Sequence, residues 1–494
     1  MTVVVDSRDD FTLDSYRRVA LEGEPVEIGP AAREAMARAR AGFLELLEAD
    51  RSAFIYGTTT RPGVEVATTV PPARQREYAR SFRTHSAHSF GGGFHDKEVV
   101  RGMVFARLVD LVEGHAKTRP EVADKIASLL DSALPPVPLD GLAGPGEVLP
   151  MLHLVTALGD VDFEEGEGMS LINGSPYSTA VIADTALRAR HRLEASELVF
   201  ALAIEALRAP LDAYDEAFDH LWSDEHETAA LLSLRRHLAG AKADSRLERQ
   251  APVSFRIVPR LLGEGHRAVT ALERAATISL RSVTINPVYL GPKEEAGNGR
   301  VVCNGGFHNA TACPVLQGMS SAWAELAAVA ERQVAAFHRG PSFGLPPLLN
   351  PPGYGDEAPS GATNLFGWAI AGYVEQARSA ATPTLVPAAV ADAQNDVSSA
   401  TSLAHQKERR ASSGLDGALA ILALVSSQAL FATGRDVAPP LRDLLAGIRS
   451  VFAPVDVPRK RHQAAEAEAL ASVFGRCALT GKLDFPTTTA VTRS

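Results

Sequence analysis

The segment Phe54-Ile55-Tyr56-Gly57-Thr58-Thr59-Thr60 sets a tyrosine beside a glycine in a polar run. A tyrosine hydroxyl has a reference pKa near ~10, so acting as a base at neutral pH requires cations or helix N-termini close by. A second candidate is Thr84-His85-Ser86-Ala87-His88-Ser89-Phe90-Gly91-Gly92-Gly93-Phe94-His95, which holds three histidines. Metal binding is not expected there, because the spacing runs through Gly91–Gly93 and no acidic or cysteine partner stands at helical spacing. The alternatives are histidines that cap a helix or line a packed loop, and a histidine that faces a substrate. The triple glycine is no phosphate cradle: no Lys-Ser/Thr follows it and no strand precedes it.

Positioning these residues falls mainly to helices. Leu193–Arg208, Met319–Arg339, Leu415–Phe431 and Gln463–Phe474 are alanine-rich apolar runs with helical periodicity. Few charges on any face predict burial in a bundle. Strand signals are short: Phe54–Tyr56, Val64–Thr69, and Ser282–Leu290 with Arg300–Asn304. Proline and glycine gather in Pro135–Gly146, Gly340–Tyr354 and Thr382–Pro387, the last leading into Ala388–Ala400. Loops of that composition inside a bundle are more often functional than accidental. A helix is expected to restart near Val148.

Composition narrows the classes of function. The 494 residues are 46% hydrophobic and 22% charged, which describes a globular chain. With 49 basic and 59 acidic residues the net charge is −10, a poor basis for gripping nucleic acid or anionic lipid. The cysteines Cys303, Cys313 and Cys477 lack Cys-x-x-Cys spacing, which fits a reducing cytoplasm. No uninterrupted run of about eighteen apolar residues is present, so no membrane span is expected.

Several motifs occur together and in a fixed order. They are Tyr56-Gly57 with His88 downstream, Thr118-Arg119-Pro120-Glu121-Val122, Glu167 to Ser175 (EGMSLINGS) and Glu205-Ala206-Leu207-Arg208. Gln250, Ser254-Phe255-Arg256, Pro259, Asn286-Pro287, Gly305 with Phe307-His308, and Gln394 with Asp396 follow. Together they resemble the histidine/phenylalanine/tyrosine ammonia-lyase and aminomutase family from about Phe11 to at least Ala400. The resemblance implies a mainly α fold, a long-helix bundle of the fumarase/aspartase-like type with small β hairpins in the N-terminal part. It divides the chain into an active-site-loop region, 1–190, and a long-helix region, 191–494. It also implies a homotetramer with active sites shared among chains.

That family is defined by an Ala-Ser-Gly tripeptide which cyclises and dehydrates to an electrophilic methylidene-imidazolone. Aligning on Pro150 puts Gly144-Pro145-Gly146 at this position, within Ala143 to Met151. Pro145 has no hydroxyl to lose and its ring nitrogen has no hydrogen, so the group is not expected to form, and no other cofactor is indicated. Other positions depart as well: Val253 stands where the family has a second tyrosine, Arg260 where it has glutamine, Asn395 where it has glutamate. Ala393 and Gly306 each stand where the family has asparagine.

The resemblance assigns Tyr56 as acid/base, Asn173 as a polar group beside the lost prosthetic group, and Arg256 as the carboxylate-binding guanidinium. An arginine holds a carboxylate through two parallel hydrogen bonds. His88 and Phe307 are implied to line the substrate pocket, with Arg260, Asn395 and Val253 also at substrate positions. The expected function is a re-purposed lyase-fold enzyme of specialised metabolism. It would carry out base-assisted elimination, conjugate addition, isomerisation or cyclisation of a small, carbonyl-activated, non-amino-acid substrate. The alternatives are an inactive scaffold or binding protein and, less favoured, an aromatic amino acid ammonia-lyase.

Overall fold

The structure is a computed structural model. It describes residues 1–82, 86–243, 246–247, 250–291, 294–295, 297, 299–354, 361–384, 394–458 and 461–486. Thr84, His85, Ala393 and the start of Ala388–Ala400 lie outside the described residues.

The chain is mostly helical, with long helices at Pro30–Ala49, Pro176–Leu207, Val258–Leu280, Ala312–His338 and Thr401–Thr433. Each alanine-rich run picked out by periodicity is helical, two of them stopping one residue short, at Leu207 and His338, and the last extending to Gln463–Thr480. The helix Val148–Ala157 restarts after the Pro/Gly loop. β-Structure is limited to two short pairs. Val3–Val5 runs parallel to Val26–Ile28, and Val288–Leu290 pairs antiparallel with Arg300–Val302. The N-terminal β contribution is therefore a parallel pair instead of a hairpin. Phe54–Tyr56 and Val64–Thr69 are not strands, and a single bridge joins Thr60 to Thr69.

Thr401–Thr433 is long and apolar enough to cross a membrane, and 94% of its most apolar window is buried inside the protein. Asp416, Ser426, Ser427 and Gln428 interrupt the apolar run without lowering its mean hydropathy below 1.7. A buried core helix passes the same test of length and composition.

The chain forms two compact units, each drawn from separate stretches. The first comprises Met1–Ala186, Leu272–Leu316 and Thr384–Gln406. Its interior includes Phe11 against Phe105, with ring centroids 4.8 Å apart, and Tyr16, whose hydroxyl donates to the Ala180 carbonyl at 2.9 Å. The second comprises Leu187–Ala271, Gln317–Pro383 and Lys407–Ser494. Within it the Arg192 guanidinium meets both Asp416 oxygens, at 2.8 and 3.0 Å, and the Trp323 indole donates to Glu408 at 2.9 Å.

Candidate active site

The Tyr56 turn is held by side-chain-to-backbone bonds. The Thr59 hydroxyl accepts the Ile55 N–H at 2.8 Å and donates to the Ala53 carbonyl at 2.5 Å. Gly57 has φ +71°, and a Cβ there would stand 2.6 Å from Met169 Cγ, so this turn closes only around a glycine. Tyr56 Oη accepts the Gly63 N–H at 2.8 Å. Asn395 approaches the same place, its Nδ2 lying 3.4 Å from where a Gly63 Cβ would be.

Met169 belongs to the helix Glu167–Ile172, which ends directly at Asn173. Asn173 is buried, and its Oδ1 has no hydrogen-bond partner among the described residues. Against it lies the Gly144-Pro145-Gly146 loop: a Cβ on Gly146 would sit 2.8 Å from Asn173 Nδ2, and Gly146 has φ +65°. The Gly146 carbonyl accepts the Gly174 N–H at 3.1 Å, and the Gly144 carbonyl accepts that of Ser399 at 3.3 Å. The structure thus gathers Tyr56, Asn173, Asn395 and the Gly-Pro-Gly loop within the first unit.

Buried charge supports this cluster. The Arg107 guanidinium meets Asp110 at 2.9 Å and donates to the Ser170 carbonyl at 3.1 Å. Asp110 accepts the Thr284 N–H at 2.6 Å, and the Thr284 hydroxyl accepts the Ser175 N–H at 2.9 Å, which fixes the loop after Asn173.

Sequence reasoning missed two buried groups. Glu147 is left-handed (φ +51°), and both its oxygens accept the Ser178 N–H, at 3.1 and 3.0 Å, and the Ser178 hydroxyl also donates to it. Burial pushes its carboxyl up to about 7. Lys117, also left-handed, donates to Ser170 Oγ and the Pro287 carbonyl, both at 3.2 Å. Burial pushes its ammonium down to about 7, and Arg40 adds to the effect. The one available signal was a charge within the Ala143–Met151 segment for Glu147 and directly before the Thr118 motif for Lys117; a left-handed backbone at a non-glycine residue leaves no mark in sequence.

Two further assigned residues belong to the same unit. His88 is exposed and Phe307 half-buried, both in irregular segments of the first unit. His95 is buried, stacked on His405 at 5.4 Å and edge-on to Tyr177 at 5.4 Å. No group of three or more histidine, cysteine or acidic side chains placed for a metal occurs among the described residues.

Val253, Arg256 and Arg260 lie in the second unit. Val253 is exposed on a cavity of about 330 Å³ with Ile257, Arg332 and Phe343. Arg256 lines a different cavity, of about 460 Å³, with Asp212, Phe218, Trp222 and Gln250. Its Nε donates to the Ala251 carbonyl at 3.0 Å, and no ion pair to Arg256 occurs among the described residues. Arg260 is occupied otherwise: it pairs with Glu227, and its guanidinium carbon lies 4.4 Å from the centre of the Trp222 ring.

A tyrosine turn, a buried asparagine and a glycine loop thus share the first unit of a mainly helical chain. The aromatic amino acid lyase family model matches residues 11–162 and 156–450. A histidine ammonia-lyase of a Geobacillus species (strain WCH70) is 27% identical, the match covering 94% of this chain and 96% of the relative. Among solved structures, the ergothioneine-degrading enzyme ergothionase from Treponema denticola superposes with a TM-score of 0.87 at 17% identity, covering 98% of this chain and all of that one. Tyrosine aminomutase from Streptomyces globisporus gives 0.82 at 22% identity, covering 97% and 98%. This chain belongs to the aromatic amino acid lyase family.

Proposed function

We propose that this chain is a homotetrameric enzyme that works without the methylidene-imidazolone group, using Tyr56 as a base on a carbonyl-activated small molecule that is not an amino acid. The observation that carries the reading is Pro145, set in a loop that still packs against Asn173. The prosthetic group arises by dehydrating a serine side chain, and Pro145 offers neither that hydroxyl nor an amide hydrogen. The residues present do not fit the group.

Energetics then select the substrate. Ammonia loss from an unactivated arylalanine requires removal of a weakly acidic benzylic proton. Without an electrophile, up to ~10 kcal/mol of barrier lowering is missing, at about 1.36 kcal/mol per tenfold in rate. A positioned base supplies only ~10²–10⁴-fold. A proton α to a ketone or thioester carbonyl is far more acidic and falls within reach of a tyrosinate. Tyr56 Oη takes that proton, and the bonding pair becomes an enolate. The enolate then expels a β-substituent, attacks an internal electrophile, or is reprotonated at another carbon.

The buried Asn173 amide supplies polar contacts to the developing oxyanion. Its unpartnered Oδ1 supports a bound polar group, because buried polar atoms are rarely left without one. Asn395, neutral where the family has glutamate, removes the charge that would favour a substrate ammonium. The fold accommodates more than the common aromatic amino acids, as the ergothioneine-degrading neighbour illustrates.

Incubation with phenylalanine, tyrosine and histidine, followed by ultraviolet absorbance of the conjugated acids, is expected to give no turnover. Turnover of any of them would overturn the reading. Arylpropanoyl thioesters in heavy water are expected to exchange their α-hydrogen, and Tyr56→Phe to slow that exchange by roughly 10²–10⁴-fold.

A further inference from the structure

We propose that a pocket beside the Tyr56 turn, lined by Arg61, Arg74, Thr68, Thr69 and Tyr78, binds an oxyanion carried by the substrate at a distance from its reacting carbonyl. The proposal rests on the assignment of Tyr56 as base and adds the chemical class of the substrate's other end: a carboxylate or a phosphate. The cavity measures about 370 Å³, enough for a small-molecule group. It is continuous with the Tyr56 turn through backbone. The Arg61 N–H donates to the Thr68 carbonyl at 3.0 Å, that of Val70 to the Thr59 carbonyl at 2.7 Å, and Thr60 bridges Thr69. The segment between Tyr56 and Gly63, whose N–H binds Tyr56 Oη, is the one that carries Arg61. Within the first unit, Arg61 is thus a guanidinium brought to this turn.

The lining charges are two arginines against one carboxylate, Glu77. Arg61 pairs with Glu65 at 2.8 Å and Arg74 with Glu77 at 3.2 Å. In these pairs the side chains are 47–52% and 68–70% exposed. Exposed pairs of this kind contribute little, so either guanidinium can exchange its partner for a ligand oxyanion held by two parallel bonds. Tyr78 completes the wall, and burial pushes its hydroxyl up to about 12, so it remains a donor throughout the neutral range. Two guanidiniums and a phenol that stays protonated form a set of donors suited to an anion.

Calorimetric titration with inorganic phosphate and with malonate tests the site without any turnover, so its result is independent of whether Tyr56 is the base. Saturable binding of at least one probe by the wild-type protein is expected, with at least about tenfold loss of affinity in Arg61→Gln/Arg74→Gln. Preference for phosphate assigns a phosphorylated substrate, and preference for malonate a dicarboxylate or acyl carboxylate. Glu77→Gln, which frees Arg74, is expected to tighten binding several-fold, and decides the matter if the double variant does not fold. No saturable binding by the wild type, undiminished binding in a folded double variant, or no tightening in Glu77→Gln would overturn the proposal.

Discussion

Glu147 shows how much a single residue can hold beside the Gly-Pro-Gly loop. It adopts a left-handed backbone that glycine would take without strain, and it buries a carboxyl against Ser178. The Thr401 hydroxyl stands 2.8 Å behind Ser178 Oγ, and Arg107 supplies an opposing charge. Burial outweighs these partners and raises the carboxyl from the ordinary 4.5 to about 7. The native state therefore binds more protons than the unfolded chain between these values, and stability falls as pH rises through that window. We expect Glu147 to contribute a decline of roughly 3 kcal/mol in unfolding free energy from pH 4.5 to 7.5, seen as the difference in pH slope between the wild type and Glu147→Gln. Urea unfolding at half-unit intervals measures it, and an unchanged slope in the variant would assign the effect to other groups. At this scale the sequence was informative where chemistry is carried by residue type. Pro145 cannot dehydrate whatever surrounds it, whereas the titration of Glu147 depends on burial that no motif records.

The helix Glu167–Ile172 is the element on which the site turns. Met169 fills the space against Gly57, Glu167 accepts two bonds from the Arg119 side chain at 2.9 and 2.8 Å, and Ser170 receives Lys117 Nζ. Because Lys117 also reaches the Pro287 carbonyl, it ties this helix to the chain after Asn286. Its ammonium is pushed down from 10.5 to about 7 by burial, so between these values the unfolded chain binds more protons and stability rises with pH. Lys117→Met, which keeps length and removes the charge, should flatten the rise between pH 7 and 10, a difference of several kcal/mol at most. Thermal unfolding across that range checks it; a rise of the same size in the variant would exclude Lys117. Long helices were legible because their signal is local and repeated over many turns. The Tyr56 turn was not: Phe54–Tyr56 reads as extended, but the Thr59 hydroxyl captures Ile55 and Ala53 and bends the chain. The pairing of Val3–Val5 with Val26–Ile28 depends on distant partners, and periodicity does not report them.

At the scale of the whole chain, neither unit is continuous in sequence. The first unit gathers residues up to Ala186 with Leu272–Leu316 and Thr384–Gln406, and its buried contacts include Asp110 with Thr284 and Ser178 with Thr401. Contacts so distant in sequence must close long loops before they stabilise anything, which slows folding. A fragment of residues 1–190 is accordingly expected to lack a cooperative unfolding transition by circular dichroism, and a sharp transition would show that the later stretches are dispensable. The same interleaving bears on heredity. Any single crossover point in the gene separates at least one unit from part of itself, so neither can be passed between relatives as a cassette.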